Sequence, residues 1–220
     1  MTAAPILAVR GEVSREVEPE LATFSVTVSA RDTDRGTTLA RLTERHDALR
    51  AALDEYATAI ERRETGAVSV YPESRRAGER VKGYTGSIST RVTMTDFVLL
   101  GELMLRLADA DQTVVYGPWW GLRPDSPVRR EARRAAVGEA ITRATEYAEA
   151  LGARVVRLVE LADAGLAAGQ PQPMAFTMAA PGGMMGAQGG PPQLNLDPQR
   201  QTVHAQVEAR FEISEPTSVG

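Results

Sequence analysis

The residues best suited by type to chemistry are the two histidines, His46 and His204. A metal site needs several His or carboxylate ligands converging, each steadied by an outer hydrogen bond. His46 falls on an apolar helical stripe and His204 on the polar side of a strand. Neither has a ligand-type partner at i+3 or i+4 backed by such an outer shell, so no metal is expected. The acid pairs Asp109 and Asp111, and Glu18 and Glu20, are of the right type for general acid and base work. No nucleophile, second base or oxyanion site accompanies them, and they read as solvated turn charges. The stretch "GGMMGAQGG" at 182–190 has glycines, yet lacks a preceding strand, a following helix start and the Lys-Ser/Thr of a phosphate loop. With no cysteine there is no disulfide, no thiolate nucleophile and no Cys-ligated cluster. The expectation is a protein that is not an enzyme, with no catalytic residues and no cofactor.

Residues suited to binding are easier to find. In "VVYGPWWGLRPDSPVRREARRAA", 114–136, the only two tryptophans stand side by side. Adjacent strand residues point to opposite faces, so Trp119 and Trp120 cannot form one stacking platform. One is expected beneath a helix, and its neighbour on the opposite face, where a partner subunit or a loop would cover it. Tyr84 is expected as a third aromatic anchor, in the core or at an interface. Arg129, Arg130, Arg133 and Arg134 occupy the first two turns of the following helix. They read either as a solvated face or as donors to acids of a neighbouring subunit. Met174, Met178, Met184 and Met185 lie in a Gly/Pro/Gln-rich stretch. Such methionines adapt to many apolar partners and oxidise readily, and an insert without function is the competing reading.

These residues need elements to position them. The 220 residues carry a net charge of -4, which excludes the basic footprint of a nucleic-acid binder. No segment approaches a membrane span, and the N-terminal apolar run is too short and wrongly flanked for a leader. A cytoplasmic location is therefore expected.

Strands are expected at 6–13 and 20–32, the second alternating with Ala22, Phe24, Val26, Val28 and Ala30 inward. A helix over 34–60 presents Leu39, Leu42, His46, Leu49, Leu53, Tyr56 and Ile60 at 3,4 spacing. Two strands follow at 64–76 and 80–95. Pro72, Gly83 and Gly86 imply bulges or an edge position there. Thr95 is expected to cap a short helix over 96–109, and a strand over 112–122 carries the tryptophans.

Ser126 and Pro127 open a helix that ends at Gly152. Ala132, Ala136, Ala140, Ala144 and Ala148 recur on it every four residues, a flat side suited to close packing. A strand over 154–161, a mobile loop over about 165–198 and a final alternating strand complete the chain.

The order β-β-α-β-β-α-β-α-β-loop-β describes an α+β fold. Helices cover one face of a largely antiparallel sheet, with the long Met/Gly/Pro-rich loop before the last strand. One domain is expected over 1–220, with its core at about 6–164 and 200–214.

Several pieces together resemble the SIMPL-domain family, which includes bacterial periplasmic immunogenic proteins and oxidative-stress-related proteins. They are the Tyr71-Pro72 pair, Gly83-Tyr84 opening a strand, the alanine-rich helix from Glu131 to Gly152, and a last strand, "TVHAQVEARFEI", that alternates to its end. The resemblance covers roughly residues 6–213. It implies an α+β fold, a tendency toward ring-like or channel-like homo-oligomers, and no established catalytic residues.

The expected function is thus a non-enzymatic, self-assembling scaffold or binding module, in an envelope or oxidative-stress setting. The alternative is a chaperone-like binder of apolar peptide or lipid that uses the Met-rich loop. The expected partner is a second copy of the chain, with apolar peptide or lipid as the other candidate and nucleic acid excluded.

Overall fold

A computed structural model describes residues 4–74, 81–165, 194 and 196–217. The elements run β1 (Ile6–Val17), β2 (Leu21–Asp32), α1 (Arg35–Asp54), β3 (Ile60–Glu73), β4 (Gly83–Met94), α2 (Phe97–Ala108), β5 (Thr113–Gly121), α3 (Pro127–Ala150), β6 (Val155–Asp163) and β7 (Gln201–Ile213). The α+β arrangement is built on two antiparallel sheets, in strand orders β1-β7-β6 and β3-β4-β2-β5. The chain divides into two compact units, one for each sheet.

The four-stranded unit is organised on β2, which pairs with β4 on one side and β5 on the other. Its inward residues Ala22, Phe24, Val26, Val28 and Ala30 are almost wholly buried. They meet Val92 and Met94 of β4 and the apolar faces of α1 and α2. Period-2 alternation produces this because each step along a strand reverses the side chain, so one face is free to be entirely apolar.

Helix α1 departs from the expected stripe. It begins at Asp34, whose carboxylate accepts the Thr37 N–H at 2.7 Å and the Thr37 hydroxyl at 3.0 Å. Thr38, not Leu39, faces the sheet: Leu39 is 43% exposed and Thr38 is fully buried. The Thr38 hydroxyl donates to the Asp34 carbonyl at 2.8 Å, which satisfies its one donor locally and lets the methyl pack.

The helix also stops at Asp54 rather than running to 60. Beyond it Tyr56 turns inward and donates its hydroxyl to Glu102 at 3.0 Å, while Ala59 accepts the Thr95 N–H at 3.1 Å. These tertiary anchors convert the would-be last turn into the entry of β3.

Pro72 sits on β3, an edge strand with two register shifts along β4. Gly83 and Gly86, by contrast, lie on the inner strand β4. A side chain at Gly86 would meet Leu42 at 3.0 Å and Val70 at 3.3 Å, so this glycine admits α1 close to the sheet. Asp96, not Thr95, caps α2, accepting the N–H groups of Val98 at 2.9 Å and Leu99 at 3.0 Å. A carboxylate is the stronger acceptor at the positive end of a helix.

In the three-stranded unit β7 is central. Contacts Ile213 to Pro5, Glu208 to Arg10 and Gln206 to Glu12 step down β7 as they step up β1. The alanine flat of α3 is buried throughout. Ala136, Ala140 and Ala144 pack with Val9, Val207, Ala209 and Phe211. The helix comes so close to β1 that a Cβ added at Gly11 would stand 2.0 Å from the Ala136 carbonyl oxygen. Gly152, at φ +66°, ends α3 in the left-handed conformation expected of a C-terminal glycine.

Candidate functional site

Strand β5 places the two tryptophans on opposite faces. Trp120 joins the core of its unit and meets Phe97 edge-on, with ring centroids 4.8 Å apart. Trp119 lies on the open face, 46% exposed, against Tyr116 at 5.2 Å.

Tyr116 and Trp119 share a face although they are three residues apart. A bulge between them shifts the pairing with β2 from Thr23–Trp119 to Ser25–Tyr116. Gly117, at φ +127°, occupies that bulge, a conformation that favours glycine, and a Cβ added there would meet Phe24 at 3.0 Å. With exposed Val114 the two rings form an apolar strip along a sheet edge.

Tyr84 is half-buried and pairs with Asp32 at the far end of β2. Trp119 pairs with Thr23, nearly a full strand away, about 30 Å at the rise of a strand. The three aromatics therefore do not form one cluster.

Arg129, Arg130, Arg133 and Arg134 are all exposed on α3, opposite the buried alanines, and form no ion pair among the described residues. Met174, Met178, Met184 and Met185 lie outside the described residues. The end of the expected loop is described and seated: Leu196 packs against the core of the four-stranded unit. Among the described residues, no three His, Cys, Asp or Glu side chains converge as a metal site. None of the described helices is long and apolar enough to cross a membrane.

Two features were not anticipated from sequence. On β6, Leu158 and Leu161 pair with Phe211 and Ala209, which places them on the helix-covered face of the sheet. Helix α3 lies over β1 and barely touches β6, so Leu158 and Leu161 are 49% and 47% exposed beyond its edge. Val156 and Val159, at the two register shifts, are exposed as well. Five apolar residues in the run "VVRLVEL" are the signal, because a strand with one wet face would alternate.

The second feature is a cavity of about 300 Å³ between α1 and α2, floored by Val28 and walled by Leu49, Ala52 and Leu107, with Arg45 and Arg106 at its rim. Another cavity, of about 490 Å³, lies in the three-stranded unit among charged residues of both signs. There Arg10 pairs with Glu208 at 3.3 Å, and Arg210 with Glu160 at 3.7 Å.

The profile of the SIMPL family, described as a protein of unknown function (DUF541), matches residues 7–211, from β1 into β7. The chain belongs to the SIMPL family. No curated protein matches this SIMPL chain. A solved structure titled "putative amidohydrolase/peptidase from Burkholderia cenocepacia" is similar to it at 19% identity and a TM-score of 0.30, covering 62% of the SIMPL chain and 36% of that protein. The SIMPL chain thus spans about a third of that protein's length.

Proposed function

We propose that this SIMPL protein is a non-enzymatic, self-assembling scaffold or binding module whose main self-contact is β6. The observation that supports this reading is an edge strand carrying four exposed apolar side chains, Val156, Leu158, Val159 and Leu161. A free edge offers unpaired backbone groups to another chain, and natural proteins normally protect it with charges, prolines or a covering element. Here α3 stops short of it. Burying two leucines and two valines gives a contact of the size that hydrophobic association exploits, at about 1.5–3 kcal/mol for each side chain fully covered.

The strip of Val114, Tyr116 and Trp119 supplies a second, chemically different surface. Two unlike apolar surfaces on one chain suit head-to-tail association, which closes into rings when the rotation permits. The stress-linked setting rests on the family resemblance alone.

Light scattering across a concentration series tests the proposal. The wild-type chain is expected as an oligomer, and Leu158→Glu with Leu161→Glu as single chains with an unchanged far-ultraviolet circular dichroism spectrum. A wild type that stays monomeric at every concentration overturns it.

A further inference from the structure

The cavity between α1 and α2 is built in an unusual way. Its floor and walls are apolar, from Val28 of β2, Ala48, Leu49 and Ala52 of α1, and Leu107 of α2. Its end is closed by the α2–β5 turn, which is pinned to β2: Ser29 donates both its N–H, at 2.9 Å, and its hydroxyl, at 3.1 Å, to the Gln112 carbonyl. The cavity is therefore set by the sheet and not by a free loop.

Two guanidinium groups stand at the rim, and they differ. Arg106 is already neutralised, donating through both terminal nitrogens to Glu55 at 2.6 and 2.7 Å. Arg45 is half-buried and donates only to a neutral acceptor, the Ser29 carbonyl, at 2.6 Å. It has no carboxylate partner among the described residues. That one bond fixes the guanidinium beside the cavity, and no acceptor for its other donors is found among the described residues. Asp111, the remaining charge at the rim, is exposed and solvated, so its field is weakened by water.

We infer that this cavity binds a small monocarboxylate with an apolar body, the tail lying between α1 and α2 and the carboxylate on Arg45. A planar guanidinium and a carboxylate make a charge-assisted pair with matching geometry. A volume of about 300 Å³ is at the small end of ligand sites, which suits a medium-chain acid and excludes a folded peptide. None of the residues lining this cavity belongs to the surfaces assigned to self-assembly, and its test does not depend on them.

Octanoate is the probe, with octan-1-ol and acetate as the two halves of its chemistry, titrated by calorimetry into the full-length protein. Octanoate is expected to bind, and acetate is not. Arg45→Gln is expected to weaken octanoate by at least about tenfold while leaving octan-1-ol unchanged. Ala48→Phe, an exposed position on α1, is expected to block both by filling the groove, with an unchanged circular dichroism spectrum as the folding control. The inference fails if the wild type takes up no octanoate at millimolar concentration. It also fails if octanoate binds both variants as it binds the wild type, since the acid would then lie elsewhere.

Discussion

Trp119 and Trp120 are neighbours in the chain and lie on opposite faces of the same sheet, one half in water and the other edge-on to Phe97 at 4.8 Å. The two indoles therefore do different work. Trp119→Ser is expected to reduce the assembled mass in light scattering and leave the unfolding midpoint in place. Trp120→Ala is expected to lower stability by about 2–3 kcal/mol in urea, somewhat under the cost of a fully buried tryptophan. Equal effects of both substitutions on stability would contradict this division.

The contrast was legible in part. Alternation along β2 assigns its faces directly, because a period of two has only two phases, and adjacency alone separates Trp119 from Trp120. The alanine spacing of α3 likewise identifies its buried side. The bulge at Gly117, which brings Tyr116 onto the face of Trp119, breaks the period of two and is not visible in it. Other features depend on residues far apart in the chain. Helix α1 ends where it does because Tyr56 finds Glu102, and nothing local to 55–60 announces that bond. Thr38 is a core residue because its hydroxyl is satisfied by Asp34, which a hydropathy pattern counts as polar. The α1–α2 cavity draws on residues from 28 to 113, so no single spacing could reveal it.

A second prediction concerns the close approach of α3 to β1. Gly11→Ala is expected to cost about 3 kcal/mol, because the new methyl meets backbone and the helix must move. Gly138 on the same helix has nothing within 4 Å of an added Cβ. Gly138→Ala is therefore expected to stabilise by up to about 1 kcal/mol through helix propensity alone. Urea midpoints of the two variants should shift in opposite directions. A shift in the same direction would mean the helix is not held as described.

A third prediction follows from three carboxylates held below their ordinary range. Glu55 is lowered chiefly by the hydrogen bond from Arg106, Asp34 by the Thr37 N–H, and Asp32 by the Asp34 N–H. Each prefers its charged form more when folded than when unfolded. Their contribution is thus complete above the unfolded values, near 4, and is lost as pH falls through the lower folded values. Melting temperature is expected to be level in these terms from pH 7 to about 5 and to fall steadily below that. Arg106→Gln returns Glu55 toward its ordinary value and should make the acid limb shallower. A melting temperature independent of pH down to 3 would rule out the effect.

The contact under α3 also bears on how this chain can vary. Most tight contacts in a core join two side chains, so an enlarged residue on one side is relieved by a smaller one opposite. At Gly11 the two nearest opposing atoms are the Ala136 carbonyl oxygen and the Ala140 amide nitrogen, with the Ala140 Cβ third, and no substitution shortens a backbone. Only a change that lifts the whole helix could suppress a larger residue at position 11, and that would uncover the five alanines beneath it. Position 11 and the alanine row therefore form a unit that cannot drift one residue at a time.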